Sequence, residues 1–432
     1  MTAPNPVRLA WLDALRGYAA VTVMAFHLSP LVLGNERHLA VMRHIDLGKY
    51  GVLLFFLVSG YVIPMSLEKH GSLGRFWIGR LCRIYPAYLF AIACVAVLCT
   101  AGWMSWQASL RQETVTGVLA HATMMPDLLG QRGAARVFWT LSYEMTFYLV
   151  VSGLFAWKLH RHSAWWASGL ALLAFVRLPD NLFGADPGQR RITAAILVVV
   201  IGLSVLAYVM DRFVLLAGAA GIAFLLLPAF NGHDTKNSTV IASWQGLLLL
   251  AVMFAGTVIY RWQHGQLGRR PATFALTTVA LGVVGAHWAH LGTYAALRVW
   301  SANVGAVAVT FLFAYAMRNR PVPAFLTWLG RISYSLYLLH VVLLILVPRI
   351  VPDIGNSAGV IRVAVGVAYV IIALGVAWLA YRMVELPGQA LGRKLTAKLL
   401  PPPVPASLLA TQRAATATGQ GENARRASRL DA

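Results

Sequence analysis

Long apolar stretches recur along the chain, most of them close to the length of a membrane span. A helix needs about 17 to 25 predominantly apolar residues to cross the hydrocarbon of a bilayer. On this basis twelve helices are predicted, at 9–33, 50–67, 82–101, 137–157, 163–176, 192–210, 213–230, 241–260, 272–290, 296–317, 333–347 and 359–381. Because some segments are short or closely spaced, the pattern predicts an all-α, polytopic transmembrane helical bundle of about 10 to 12 spans.

Composition supports a membrane protein. Of the 432 residues, 59% are hydrophobic and only 12% are charged, outside the range of ordinary soluble domains. The net charge of +21 raises the question of nucleic-acid binding. The basic residues are scattered over short loops, however, so we attribute most of the excess to the cytoplasmic side of a membrane protein. The remaining positive charge could bind anionic lipid headgroups or a polyphosphate ligand. No nucleic-acid partner is expected.

The loop charges also predict an orientation. With the N-terminus in the cytoplasm, Lys and Arg are about twofold denser in the inner loops, as the positive-inside rule demands. Both termini are therefore predicted to be cytoplasmic, and the first helix is expected to be retained rather than cleaved. Residues 1–395 are predicted to form the transmembrane domain and 396–432 a disordered cytoplasmic tail. The long outer loop, 102–136, is predicted to lie on the membrane surface or to cover a site.

The first predicted span carries Asp13, Arg16 and His27. Arg16 and His27 are eleven residues apart, three turns plus about 20°, so their side chains leave nearly the same helix face. Asp13 lies three residues before Arg16, close enough to pair with it. A charge facing lipid costs several kcal/mol, so this face should look into the protein. The helix then offers an ionic end and an imidazole roughly 16 Å apart. His27 is a candidate general base, or alternatively a core histidine bonded to a hydroxyl.

A basic cluster, Arg75, Arg80 and Arg83, precedes and enters the third predicted span. Arg80 and Arg83 are three residues apart and so share a helix face. Ordinary anchoring at the inner membrane surface would explain such arginines. Two guanidiniums at this spacing also suit bidentate phosphate binding, which makes a nucleotide-like polyphosphate ligand plausible here.

The segment WTLSYEMTFY, residues 139–148, places Glu144 inside the membrane. A carboxylate there needs a partner. We predict that Glu144 lies at the depth of His27 and orients its imidazole, as the buried aspartate does in a serine-protease triad. Pairing with some other residue is the alternative. Ser142 and Tyr143 supply hydroxyls around Glu144 and are candidate substrate-lining residues.

A later helix carries Ser333, Tyr337 and His340 on one stripe. These three either line a substrate site or act as hydrogen-bond glue between helices. His287 and His290 lack a nearby third ligand and are predicted to be structural, so no metal site is expected. The three cysteines, which show no CxxC spacing, predict neither a disulfide framework nor a zinc site.

Taken together, these motifs resemble the bacterial membrane acyltransferase 3 family. LDALRGYAAVTVMAFH is similar to its first-helix element, an Arg followed by ten residues and a His, and GRLCRIYP resembles its Arg-x-x-Arg element. Similar elements follow in order: GVLLFFLVSGYVI before GRLCRIYP, then WTLSYEMTFY, ISYSLYLLH and VELPGQALGRKL. They bracket residues 9 to about 395, while the middle, about 160–320, resembles the family only in hydropathy.

The resemblance implies an enzyme of the bacterial inner membrane. Family members transfer an acyl group, usually acetyl, from a cytoplasmic acyl-CoA such as acetyl-CoA to a hydroxyl of a surface glycan, a lipid-linked sugar or an exported small molecule. The implied partners are acyl-CoA, a carbohydrate or glycosylated acceptor and membrane lipids.

Combining the resemblance with the residue pattern gives a mechanistic hypothesis. Arg80 and Arg83, helped by Arg16 and Arg75, would bind the donor phosphates. The pantetheine arm would follow the first helix to His27, whose charge Glu144 or Asp13 would stabilise. A transporter or flippase, with the polar stripe as a permeation path, is the competing class. A membrane scaffold without enzymatic activity is a third.

Overall fold

The computed structural model describes residues 7–232 and 242–401, which form helices and no strand. In chain order the α-helices are α1 (Val7–Leu33), α2 (Asn35–Met42), α3 (Leu47–His70), α4 (Leu73–Thr100), α5 (Ala108–Gln112), α6 (Thr114–Ala122), α7 (Trp139–Ala156), α8 (Ser163–Leu173), α9 (Pro187–Met210), α10 (Val214–Ala223), α11 (Leu226–Phe230), α12 (Ser243–Gln263), α13 (Arg269–Leu291), α14 (Tyr294–Ala316), α15 (Ala324–Ile350), α16 (Gly359–Ala380) and α17 (Leu386–Leu399). A π-helical turn, Tyr381–Glu385, joins α16 to α17. The all-α prediction is confirmed.

Nine helical segments in the described ranges are long and apolar enough to cross a membrane: α1, α3, α4, α9, α12, α13, α14, α15 and the continuous run from α16 to α17. The other predicted spans coincide with α7, with α8 and with the broken pair α10 and α11. At 1.5 Å per residue, α8 is only about 16 Å long, too short to cross the hydrocarbon alone. The fold is therefore that of a multi-pass helical bundle.

The middle of the bundle consists of helices that hardly contact lipid. In α7, every residue from Trp139 to Leu154 is buried, and α12 is buried over nearly its whole length. A helix surrounded by other helices can carry hydroxyls and a carboxylate that would be costly on a lipid-facing surface. This explains why the polar segment 139–148 lies in the interior.

Glycines allow two helix pairs to touch backbone to backbone. A Cβ on Gly330 of α15 would lie 2.2 Å from the carbonyl oxygen of Asp13 in α1, and one on Gly60 of α3 would lie 1.7 Å from that of Met253 in α12. Small residues at such crossings let membrane helices pack closely without a hydrophobic driving force. The first contact packs α15 against α1, and the second packs α3 against α12; Gly51 of α3 in turn packs against Val23 of α1.

Two predicted boundaries shift. The third span was predicted to begin at 82, but α4 begins at Leu73, with Ser72 as its N-cap. The helix therefore contains all three arginines of the basic cluster, Arg75, Arg80 and Arg83. They line a polar cleft described below, which explains why the first turns of α4 lack a continuous apolar run. At the other end, α17 continues to Leu399, so the predicted domain boundary at 395 falls inside a helix. The remainder of the predicted tail, from 402, lies outside the described residues.

The loop 102–136 packs partly into one end of the bundle. Trp103 is half exposed, as a surface segment requires, but residues 123–131 are buried. His121 accepts a hydrogen bond from the backbone N–H of Ala134, and Asn231 donates one to the carbonyl of Leu128. This part of the loop is therefore packed against the end of the bundle and held there by hydrogen bonds.

The contact at Gly60 gives a direct test of the helix packing. Gly60→Ala should force α3 away from α12 and lower the free energy of unfolding by at least about 1–3 kcal/mol, as overpacking does in other cores. We expect a lower melting temperature for the detergent-purified variant. Gly202→Ala in α9 is the matched control, because no heavy atom lies within 4 Å of its added Cβ. Equal melting temperatures for both variants and the wild type would contradict this packing.

Candidate active site

The two polar groups of α1 face different neighbours at two depths of the bundle. The Arg16 Cζ lies 5.5 Å from the ring centroid of Phe55 in α3. The His27 Nδ1 lies 3.1 Å from the Nε2 of His340 in α15. At 1.5 Å per residue the two side chains are roughly 16 Å apart along the helix axis. We call these two regions the arginine end and the histidine end.

At the arginine end, Arg80 is held between two aromatic rings. Its Cζ lies 5.4 Å from the ring centroid of Phe76, one turn earlier in α4, and 5.4 Å from that of Tyr148 in α7. The Tyr148 hydroxyl donates a hydrogen bond to Oε1 of Glu144. A planar, weakly hydrated guanidinium is suited to such stacking. Stacking on Phe76 and contact with Tyr148 therefore fix the position of Arg80.

Several carboxylates lie close enough to the buried arginines for their charges to interact, although among the described residues none forms an ion pair with Arg16, Arg80 or Arg83. The charges that act most strongly on Arg16 are those of Arg83, Glu144 and Asp13. Glu385, in the π-helical turn, is buried; it accepts a hydrogen bond from the Ser335 hydroxyl. Because charge is costly in the bundle interior, these opposite charges permit the arginines to remain there.

This arrangement corrects two predictions. Glu144 bonds to Tyr148 and interacts with Arg16 and Arg80, so it does not orient His27 as proposed from the sequence. Asp13 is at the arginine end as well, about 21 Å from His27 along α1. It acts on Arg16 through its charge, but among the described residues it forms no ion pair with it. Both carboxylates belong to the arginine cluster.

A cleft of about 630 Å³ opens beside this cluster, between α4 and α17. Its lining includes five basic side chains, His70, Arg75, Arg80, Arg83 and Arg393. The cleft is within the size range of ligand pockets, and clustered guanidiniums suit phosphate oxygens. The predicted grouping of the three α4 arginines is therefore present in the structure, with Arg393 added to it.

Close packing of α17 against α4 forms the back of the cleft. A Cβ on Gly388 would lie 2.5 Å from the carbonyl oxygen of Cys82, and one on Gly392 would lie 2.8 Å from the Cys82 Cβ. Arg75 donates a hydrogen bond to the carbonyl of Pro401, the last described residue. The last helix of the described residues, α17, is thus part of the site.

At the histidine end, the hydrogen bonds assign the tautomers of both imidazoles. The Nδ1 of His340 lies 2.8 Å from the carbonyl oxygen of Tyr337, which only accepts, so this nitrogen carries the proton. In the neutral ring, Nε2 of His340 is then an acceptor, and Nδ1 of His27 must donate to it. The remaining nitrogen of His27, Nε2, keeps its lone pair and has no hydrogen-bond partner among the described residues.

The predicted substrate-lining residues divide into two groups. Tyr337 and His340 lie beside His27, with the Tyr337 and His340 ring centroids 5.9 Å apart. Ser142 instead accepts a hydrogen bond from the backbone of Asp127 in the packed loop. Tyr143 is buried against Trp139, and Ser333 bonds to its own helix. None of these contacts places the three side chains beside His27, so their substrate-lining role stays a prediction.

His287 and His290 also make structural contacts. Nδ1 of His287 bonds to the carbonyl of Val283, and Nε2 of His290 bonds to that of Ala174. Both rings pack on Trp244. Within the ranges described here, no group of three potential ligands is positioned to hold a metal ion.

An aromatic pair closes the space between the two ends. Phe55 and Tyr337 stack with ring centroids 6.1 Å apart, and the Tyr337 hydroxyl donates to the carbonyl of Val137. The cavity that they leave against Ala19 and Ala20 of α1 is about 10 Å³, about enough for one water molecule. The single donor channel expected from the sequence is therefore interrupted at this point.

Several residues of the site were not assigned a role from the sequence. Phe55 and Glu385 lie in motifs that were recognised, but only tertiary contacts reveal what they touch. Arg393 was counted only as a basic residue near the C-terminus. Its spacing from the Glu-x-Pro element, eight residues after Glu385, was the available indication that it shares a helix with that element.

The fold and the site define a class: a multi-pass helical membrane protein with compensated arginines at one depth, an imidazole pair at another and a cationic cleft. The sequence matches the model of the acyltransferase domain of the acyltransferase 3 family at residues 9–184 and 191–382. The chain therefore belongs to that family. The match includes most of the middle of the chain, where the sequence analysis found only a resemblance in hydropathy.

Curated relatives support this assignment. Acyltransferase MdmB of Streptomyces mycarofaciens is 31% identical over 39% of this chain and 45% of its own length. Nodulation protein 10 of Rhizobium leguminosarum is 29% identical over 32% of this chain and 42% of its own length. O-acetyltransferase OatA of Staphylococcus aureus is 23% identical over 91% of this chain and 59% of its own length. The chain thus spans about half the length of the curated relatives it matches. No solved structure matches it.

Proposed function

We propose that the protein is an integral-membrane O-acyltransferase. It moves an acyl group, in the first instance acetyl, from cytoplasmic acyl-CoA to a hydroxyl of a glycan, a lipid-linked sugar or an exported small molecule. One observation carries the proposal: an imidazole with a free Nε2 lies on the same helix as, and roughly 16 Å from, an arginine cluster that borders a cationic cleft. The names of the relatives MdmB and OatA support the reaction class.

The cleft is where the donor would bind. Arg80 and Arg83, with Arg75 and Arg393 around them, would contact the phosphates of coenzyme A. Arg16 lies behind them, over Phe55, at the start of the route along α1. An extended pantetheine arm can cover the rise from Arg16 to His27. This layout assigns binding to one end and chemistry to the other.

The route must open before transfer. A cavity of about 10 Å³ does not admit a pantetheine chain, so Phe55 and Tyr337 must separate when the donor binds. The Tyr337 hydroxyl is anchored to Val137 and accepts a hydrogen bond from Thr140. The Phe55 ring makes no hydrogen bond that would have to break, and we therefore assign the main movement to it.

At the histidine end, His27 would act as the general base. Its Nε2 takes the proton of the acceptor hydroxyl as the oxygen attacks the thioester carbonyl. The new acyl C–O bond forms, the C–S bond breaks, and the coenzyme A thiolate takes up the proton from His27. His340 is a positioning residue, since its bond to Nδ1 keeps Nε2 of His27 free to accept.

The proposal includes an orientation in the cytoplasmic membrane of a bacterium. Acyl-CoA is cytoplasmic, so the arginine end faces inward, and both termini lie on that side. The positive-inside rule supports this, because α4 and α17 carry their basic residues at the arginine end.

His27→Ala should abolish acyl transfer and leave donor binding intact, because the imidazole contributes to proton transfer and not to the cleft. Purified protein would be incubated with radiolabelled acetyl-CoA and extracts that contain acceptors, and transfer and donor affinity would be measured separately. The control is His44→Ala, an exposed histidine near the same end of the bundle. Transfer by His27→Ala at the wild-type rate would refute the base assignment.

The same assay distinguishes an acyltransferase from the competing class, a transporter or flippase. Buried charges such as Arg16 and Glu144 also occur along transport pathways. Loss of thioester with label in a hydroxyl compound would support the transferase. Gradient-driven uptake into proteoliposomes without a covalent product would instead support a transporter or flippase.

Arg80→Ala and Arg83→Ala should each weaken acetyl-CoA binding by about tenfold or more, as expected for the loss of a charge-assisted phosphate contact. Isothermal titration calorimetry with acetyl-CoA and with dephospho-coenzyme A would measure the loss. Arg270→Ala is the control, an exposed arginine that does not line the cleft. If all three variants bind the donor like the wild type, the α4 arginines serve only as membrane anchors.

A further inference from the structure

A second cationic site lies at the histidine end, apart from the donor cleft. Gly48 of α3 packs against Phe26, as a Cβ there would lie 2.8 Å from the Phe26 ring, so its neighbour Lys49 is at the depth of His27. Thr140 of α7 donates to Tyr337, which brings the N-terminus of α7 to the same depth. Lys49 and the beginning of α7 therefore lie at the depth of the histidine pair.

Lys49 is a partly buried lysine, and none of the described residues accepts a hydrogen bond from its ammonium. Its Nζ lies 4.7 Å from the ring centroid of Trp139, and in the described part of the chain no carboxylate is within ion-pair distance of it. Asp46 and Asp127 act on its charge from farther away. Asp46 accepts from the backbone N–H of Lys49 as the helix cap. The three N–H donors of Lys49 are thus available to a ligand.

Arg136 adds a second unpaired cation. It begins the 3-10 turn that leads into α7, is exposed, and forms no ion pair within the described ranges. The next residue, Val137, accepts a hydrogen bond from Tyr337 beside the histidine pair, and Trp139, three residues on, lies 4.7 Å from the Lys49 Nζ, so Arg136 is near both groups. Two like charges held close together repel each other, and an anion between them removes that repulsion. A guanidinium also fits a carboxylate or phosphate in a bidentate manner.

From this placement we infer that Lys49 and Arg136 form the acceptor subsite, and that the acceptor is an anionic carbohydrate. Its carboxylate or phosphate would lie between the two cations, with a hydroxyl directed at the Nε2 of His27. The inference rests on the proposed function, since it specifies the acceptor for the same transfer. A neutral acceptor would leave both cations without partners.

The test measures binding in the absence of transfer. The purified full-length protein would be titrated with glucuronate, glucose 6-phosphate and glucose at constant ionic strength, and the shift in melting temperature would give apparent affinities. We expect both anionic sugars to bind at least about tenfold more tightly than glucose, the size of one charge-assisted contact. A difference between glucuronate and glucose 6-phosphate would tell whether a carboxylate or a phosphate is preferred.

Matched variants localise the effect. Lys49→Gln and Arg136→Gln should lose the preference for the anionic sugars. Arg111→Gln should keep it, as an exposed arginine on another segment, α5. Because Arg136 is exposed, its variant is expected to fold even if Lys49→Gln is unstable. Equal binding of glucose and the anionic sugars, or an unchanged preference in Arg136→Gln, would overturn the inference.

Failure of this inference and failure of the proposed function are distinguishable. His27→Ala should keep the preference for glucuronate and glucose 6-phosphate over glucose, since it retains both cations. Charge-selective binding without any acyl transfer would support the subsite and refute the enzyme. Transfer without charge-selective binding would support the enzyme and refute the subsite.

Discussion

Compensation of buried charge is the constraint on which the rest of this structure depends. Three arginines from two helices meet inside a membrane bundle, where an isolated charge is costly. Glu144 and Glu385 come to them from α7 and from the π-helical turn before α17, so the first helix is coupled to the chain's last described one. The buried position of α7 follows from this, because its carboxylate must reach the cluster. The cleft follows too, since the outer sides of Arg80 and Arg83 are left facing it.

At the histidine end, hydrogen bonds rather than charges hold the side chains in place. His340 is fixed through its Nδ1 and, by a bond from Tyr369, through its backbone carbonyl. It therefore presents one defined acceptor to His27, which leaves the other nitrogen of His27 free. Between the two ends stands the Phe55–Tyr337 pair. The cavity beside this pair holds about one water molecule, so in the proposed mechanism the pair must open when the donor binds.

Sequence patterns predicted the helices and the common face of Arg16 and His27 because both depend on local periodicity. They placed Arg80 and Arg83 on one helix face for the same reason, and both line the cleft. They failed for Glu144, since depth within one helix does not determine which side chains of other helices lie opposite. The stacking of Phe55 on Tyr337 was equally inaccessible, because it joins residues nearly 300 positions apart. The start of α4 was misplaced because its first turns face a polar cleft and lack a continuous apolar run.

The central claim is that the arginine end and the histidine end belong to one donor path. The most direct measurement is a structure of the full-length protein with a non-hydrolysable thioether analogue of acetyl-CoA. The account predicts the phosphates between Arg80 and Arg83, the Phe55 ring displaced from Tyr337, and the thioether sulfur in contact with His27. A pantetheine arm that leaves the cleft by another route, with the aromatic pair still stacked, would contradict it.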